Sequence, residues 1–284
     1  MDLLYRVRGG LVVMLVAACT IALNGQTPAA GRPMTVEDLI ATPRVSGPQL
    51  SPDGKTVLFV RTTTEPKAGR RNADIYRVSV DGSEPKALFA GDKNENTPRW
   101  SADGRKVAFL SNRDGATQVY VADADGKNVK KVTSLAAGAQ PPLVWAADGL
   151  RLAFVSDVYA ECADEDCNKR KADEAAANPV KVHRLTRLLY RHWDEWRENI
   201  RHHVFVTPVS AGRSRDITPG DFDSPPTQQE DAAIAFSPDG KTVAFVSNRE
   251  GIDKEAWTTN NDVWLVPTEG GEARKLTPNP AADT

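Results

Sequence analysis

A polar stretch ending in Asp-Gly, followed by an unbroken apolar run, recurs four times along this chain. SPDGKTVLFV stands at 51–60, SADGRKVAFL at 101–110, AADGLRLAFV at 146–155 and SPDGKTVAFV at 237–246. Asp-Gly is a strong signal for a two-residue hairpin turn, because glycine accepts positive φ without a Cβ clash. The run after each turn is apolar on both alternating faces, which predicts a strand covered on both sides. A second hairpin pattern follows in each unit: 75–89, 119–133, 204–218 and 263–277, with turns at Asp81-Gly82, Asp125-Gly126, near Gly212 and at Gly270-Gly271. Two hairpins make four strands. Successive copies are 50, 45 and 91 residues apart, the last close to two ordinary steps. A period in the forties with four strands per unit is the signature of propeller blades. The pattern predicts an all-β fold, a β-propeller with four four-stranded blades at 46–90, 96–135, 141–219 and 230–278, inside a propeller region 34–284.

The doubled step falls in the third blade, whose two hairpins are separated by an insertion at 157–202. Pro179 can open a helix there with Asn178 as its cap. Val182, Leu185, Leu189, Trp193, Trp196 and Ile200 then follow at spacings of 3, 4, 4, 3 and 4, one apolar helical stripe. The insertion is expected to be a cysteine-stapled loop followed by an amphipathic helix on the blade surface. At the other end, LTPNPAADT closes the chain where a fifth blade would begin. Complete propellers have four to eight blades, so the ring is expected to be unfinished, with closure on four blades as the alternative.

The first 25 residues read as a signal peptide. Arg6 and Arg8 precede LVVMLVAACTIAL, a thirteen-residue apolar run too short for a membrane span. Val16-Ala17-Ala18-Cys19 could instead be a lipobox with Cys19 lipidated. Simple cleavage is preferred, because the apolar TIAL follows Cys19. Either route gives an exported protein, periplasmic or secreted, with no membrane association beyond the signal segment or that lipid anchor. Export bears on the two remaining cysteines, Cys162 and Cys167 in CADEDC. In an oxidising compartment they are expected to close a small disulfide loop. A metal site is the alternative, but two thiols at this spacing do not make a usual zinc knuckle.

Composition adds mainly exclusions. The chain is 40% apolar and 26% charged with formal net charge −2, which argues against a nucleic-acid partner. The sequence holds no G-x-S-x-G elbow, no H-E-x-x-H and no glycine-rich phosphate loop, so no catalytic residue, metal or cofactor is assigned. All four histidines lie in or beside the insertion. Residues that recur in every blade, such as Asp53, Asp103, Asp148 and Asp239, are read as structural. Arg113 and Arg249, in SNRDG and SNREG, are read mainly so, and retained as weak substrate-binding candidates. Asp194, Glu195 and Glu198 break the repeat. They fit a solvated helix face with arginine partners, or a carboxylate clamp on a peptide's α-amine, since an ammonium needs several acceptors.

The repeats, followed by YAECADEDCNKRK…RLLYRHWDEWRE…HVFV, resemble the N-terminal propeller of the prolyl oligopeptidase family. Its secreted dipeptidyl peptidase and acylaminoacyl peptidase-like members look nearest, and MTVEDLIATPRVSGPQLSPDGK is similar to the start of their propellers. The resemblance covers nearly all of 34–284; LLYRHWDEW is its specific part, whereas Tol-system periplasmic propellers also carry SPDGK units. The resemblance implies a seven- or eight-bladed propeller above a C-terminal α/β-hydrolase domain with a Ser-Asp-His triad, the propeller admitting only short or unfolded peptides. This chain departs from it by carrying about half a propeller and no triad. The expected function is thus the gating portion of an exported serine peptidase that releases short peptides from peptide N-termini, inactive by itself. A non-catalytic exported propeller that binds proteins or glycans, as the Tol-system propeller does, is the alternative.

Overall fold

The computed structural model describes residues 31–283 apart from 181, 186–187, 189, 193–194, 198, 211, 227–232 and 252. The signal segment and Cys19 lie outside the described residues. The chain divides into two units, Met1–Leu39 and Ile40–Thr284. Toward the end of the first, helix α1 (Val36–Ala41) starts at Thr35. The Thr35 amide donates to Asp38 Oδ2 at 2.9 Å and the Asp38 amide donates to Thr35 Oγ1 at 3.3 Å, a reciprocal cap.

The second unit is built from four antiparallel sheets. The first contains β1 (Arg44–Leu50), β2 (Thr56–Glu65), β3 (Arg70–Ser79) and β4 (Lys86–Phe89). The second contains β5 (Glu95–Trp100), β6 (Lys106–Ser111), β7 (Gln118–Asp123) and β8 (Lys130–Lys131). In the third, β9 (Gln140–Trp145) and β10 (Arg151–Tyr159) are followed by helix α2 (Glu165–Ala177) and a small hairpin, β11 (Arg191–His192) with β12 (Glu195–Trp196). The sheet then resumes with β13 (Ile200–Pro208) and β14 (Arg215–Asp216). The fourth contains β15 (Ile234–Phe236), β16 (Thr242–Ser247), β17 (Asp262–Pro267) and β18 (Arg274–Lys275).

The two-sided apolar runs become the inter-sheet cores. On β6, Val107 and Phe109 pack toward Leu58, Val60 and Ile75 of the first sheet. Its alternate residues Ala108 and Leu110 pack toward Leu143, Leu152 and Phe154 of the third. On β10, Ala153 and Val155 turn to the fourth sheet, meeting Ile234, Val243 and Phe245. Period-two alternation thus sends successive side chains into different cores. Full burial of each large apolar side chain contributes roughly 1.5–3 kcal/mol. Among the described residues no core cluster joins the first sheet to the fourth, and Val45 and Leu50 on β1 stay exposed. The architecture is that of propeller blades stacked in sequence without closing.

Two sequence expectations are corrected. The repeated Asp-Gly does not form a two-residue turn. In the first copy the Ser51 amide pairs with the Thr56 carbonyl at 2.7 Å, leaving Pro52 to Lys55 as the loop. Asp53 Oδ1 accepts from Ser51 Oγ at 2.6 Å and from the Lys55 amide at 3.1 Å, and Gly54 closes the turn at φ +72°. The aspartate side chain itself organises the longer loop.

Among the described residues the helix expected from Pro179 onward is also absent. Helix α2 ends before it, Asn178 is its C-terminal cap rather than the cap of a following helix, and Val182, Leu185 and Trp196 are exposed. Ile200 opens β13, while Leu189 and Trp193 lie outside the described residues. Trp196 pairs with Arg191 in the small hairpin. The true helix, EDCNKRKADEAAA, carries no apolar stripe. It forms through alanine and long-chain propensity, two acidic residues in its first turn, and Asp164 Oδ1 accepting from the Cys167 amide at 2.8 Å.

Candidate binding face

The connections between second and third strands emerge at one end of the sheets, because register places Glu65 opposite Arg70, Ser111 opposite Gln118, Tyr159 opposite Ile200 and Ser247 opposite Asp262. The long insertion therefore shares an end with the SNRDG and SNREG loops. Its base is stapled by the Cys162–Cys167 disulfide, with Cα atoms 5.5 Å apart. Asn168 is buried and accepts from the Tyr159 amide at 2.9 Å, tying α2 to β10. Glu165 accepts from the Ala136 amide at 2.5 Å and ties it to the link between the second and third sheets. Between α2, Thr133–Leu135, Phe205 and Arg213–Asp216 lies a groove of about 1210 Å³.

Where the insertion returns, Arg201 is nearly buried and is held by three carboxylates. Its Nε donates to Asp221 at 2.7 Å, Nη1 to Asp223 at 3.2 Å and Nη2 to Glu255 at 2.9 Å. Arg197 donates to the same Asp223, which also accepts from the His202 amide at 3.0 Å. Burial opposes charge on Asp223, but Arg197 and Arg201 outweigh it and hold the carboxyl below its ordinary range. Burial likewise opposes charge on Arg201, and its carboxylates reverse the effect and raise it. Asp157, 3.3 Å from His202 Nε2, is shifted the other way, up, because burial prevails over His202. Glu255 comes from the β16–β17 connection and Asp221 and Asp223 from the link into the fourth sheet, so the cluster joins two sheets. Among the described residues, three carboxylates meet two guanidiniums here.

Of the residues singled out in the sequence, Asp194 and Glu198 lie outside the described residues, and Glu195 is in β12. The insertion's aromatic residues gather around Trp196, with His183 stacked at 4.1 Å and Tyr190 at 6.3 Å between ring centroids. His203 reaches Asp216 at 2.6 Å and the Gly220 carbonyl at 2.9 Å. Among the described residues no group of three metal-ligating side chains assembles.

Arg113 and Arg249 repeat one motif. Each guanidinium lies over the aromatic residues of the two central strands: Arg113 over Phe109 and Tyr120 at 5.2 and 5.0 Å, Arg249 over Phe245 and Trp264 at 5.2 and 4.8 Å. Each Nε faces the serine two residues earlier, Ser111 at 3.1 Å and Ser247 at 3.4 Å. Their charges are met differently. Arg113 donates to buried Glu95 at 3.1 Å. Arg249 has a third ring, Phe222 at 4.7 Å, and no carboxylate among the described residues. Burial brings it down to about 10.

Sequence reasoning missed Arg201, Asp221, Asp223 and Glu255. Their only trace is an arginine set into an apolar strand, ENIRHHVFV, and the acidic DFD beyond it.

Comparison with known proteins places this geometry. The TolB beta propeller domain family, PD40, matches residues 39–175. A dipeptidyl-peptidase 5 of Porphyromonas endodontalis is 30% identical over 251 residues, 86% of this chain and 35% of that protein. The uncharacterized peptidase YuxL of Bacillus subtilis is 30% identical over 82% of this chain and 34% of its own length. The chain thus spans about a third of these relatives. Among solved structures, the acylaminoacyl peptidase of Pyrococcus horikoshii aligns with TM-score 0.57 at 16% identity, covering 84% of this chain and 33% of that one. At that identity the likeness concerns the fold.

Proposed function

We propose that this chain, a propeller portion of the prolyl oligopeptidase family, gates and holds short peptides for N-terminal cleavage in an exported serine peptidase. The reaction is acyl transfer through a serine activated by histidine. No G-x-S-x-G occurs in the 284 residues, and on this reading the nucleophile would come from outside them. The apolar run at 11–23 and the Cys162–Cys167 disulfide support export.

The observation that carries the reading is the set of carboxylates Asp221, Asp223 and Glu255 gathered around Arg201, on the end of the sheets that bears the insertion. Clustered carboxylates suit a peptide's α-ammonium, whose three donors need acceptors. Asp194, Glu195 and Glu198, on the same insertion, would add to that field. Calorimetry of the purified chain with a tripeptide and its N-acetylated form is the test. The free amine is expected to bind about tenfold tighter, which is 1.4 kcal/mol, and a dipeptidyl chromogenic substrate is expected to stay intact. Equal affinities, or hydrolysis, would overturn the reading. The TolB description of the matching family favours a second one, a non-catalytic propeller that binds a protein or glycan. That reading gains if neither tripeptide binds and a folded protein or glycan does.

A further inference from the structure

We propose that Arg249 is the receptor for a carboxylate of a bound peptide, its free C-terminus in the simplest case. This rests on the peptide reading above and adds the opposite end of the ligand. The argument is a comparison inside one chain. Arg113 and Arg249 occupy the same place in the second and fourth sheets, folded back over the same strand positions and onto the same serine. In the second sheet the outward nitrogen has its counter-ion, Glu95. In the fourth sheet Arg249 Nη2 is buried and has no hydrogen-bond partner among the described residues.

Two of the three acids on the same connection are committed elsewhere, and the third, Asp253, is exposed. Glu250 accepts from Asn260 Nδ2 at 3.2 Å, and Glu255 accepts from Arg201. A guanidinium with a buried nitrogen and no counter-ion is unfavourable unless hydrogen bonds and an opposite charge arrive. Phe222, Phe245 and Trp264 exclude water around it and fix its plane. A planar fork in that setting matches a carboxylate, which it can bind through two parallel hydrogen bonds. Glu255 and Arg249 stand on one connection, so one loop would carry part of the amine-binding cluster and the carboxylate receptor. A face with both would select peptides that are short.

The test is calorimetry of the 284-residue chain with one tripeptide as its free acid and as its C-terminal amide. The acid is expected to bind about tenfold tighter than the amide, the size of one charge-assisted pair. Arg249→Gln is expected to remove the difference, and Arg249→Lys to retain only part of it, with circular dichroism melts confirming that both variants fold. Equal binding of acid and amide by the wild-type chain overturns the proposal and leaves the amine-binding reading standing. Failure of both to bind overturns both. Asp231 stands five residues before Phe236 as Glu95 stands five before Trp100, and lies outside the described residues. An acid preference that appears only in Asp231→Asn would assign the receptor an internal partner, and overturns the proposal as well.

Discussion

Trp145 donates from its indole Nε1 to the backbone carbonyl of Arg99 at 3.0 Å, bridging the first strands of the third and second sheets. Trp100 does the same to Gln49, between the second sheet and the first, at 3.3 Å. In the fourth sheet the corresponding residue is Phe236, which has no donor. The bridge is therefore an addition to ring burial and not a condition of it. Trp145→Phe is expected to lower unfolding free energy by about 1 kcal/mol, the ordinary net value of one hydrogen bond. Urea denaturation checks this; an unchanged midpoint would show that the bond contributes nothing.

The buried Arg201 is different in kind. Removing it takes away the guanidinium that Asp221, Asp223 and Glu255 share, while Arg197 stays on Asp223. Arg201→Gln is expected to destabilise by about 3–5 kcal/mol, because breaking a buried pair leaves charge uncompensated. The exposed Lys169–Asp173 pair on α2 serves as the contrast. Lys169→Ala is expected to move stability by less than about 0.5 kcal/mol. Similar losses in the two variants would refute the distinction.

How much of this was legible in the sequence follows from how the interactions are encoded. The sheets were legible because β6 and β10 must be apolar on both faces to lie between two neighbours, and Asp-Gly marks each turn. The turn type was not, since the Asp53–Ser51 bond and the loop length it sets are side-chain chemistry that a dipeptide does not reveal. Helix α2 was missed because a search for apolar stripes does not find a helix held by Asp164, a disulfide and propensity. The bulky run from Val182 to Ile200 has helical spacing, yet its Trp196 sits in a hairpin. Spacing alone does not say which face will be covered. The Arg201 cluster was hidden for another reason: its members come from 201, 221, 223 and 255, and only the packing of the third sheet against the fourth brings them together.

Acid should act on two buried carboxyls in opposite directions. Asp223 is held below its ordinary range, so the folded state releases this proton more readily than the unfolded chain. Its contribution is present above the unfolded value, about 4, and is lost as pH falls through the folded one. Glu95 is raised, because burial outweighs Ser111 and Arg113. Its contribution is greatest below the unfolded value, about 4.3, and is lost as pH climbs through the raised one. Asp223→Asn should flatten the loss of stability below pH about 4, and Glu95→Gln should remove a decline above that value. Urea midpoints across a pH series read both slopes; parallel wild-type and variant profiles would contradict the assignment.

The disulfide should act locally. Cys162 and Cys167 are five residues apart, and a loop that short restricts the unfolded chain by about 2 kcal/mol. Its ends bracket Asp164, the residue that caps α2. The Cys162→Ser, Cys167→Ser double variant is therefore expected to loosen the cap and fray α2, while the sheet cores, which hold neither cysteine, keep their order. Hydrogen exchange should rise across Glu165–Ala177 and stay unchanged in β6 and β10. Because Glu165 and Asn168 fasten α2 to the β8–β9 link and to β10, the helix should remain docked after the bond is lost. Exchange that rises equally in β10 would mean the bond supports the whole third sheet.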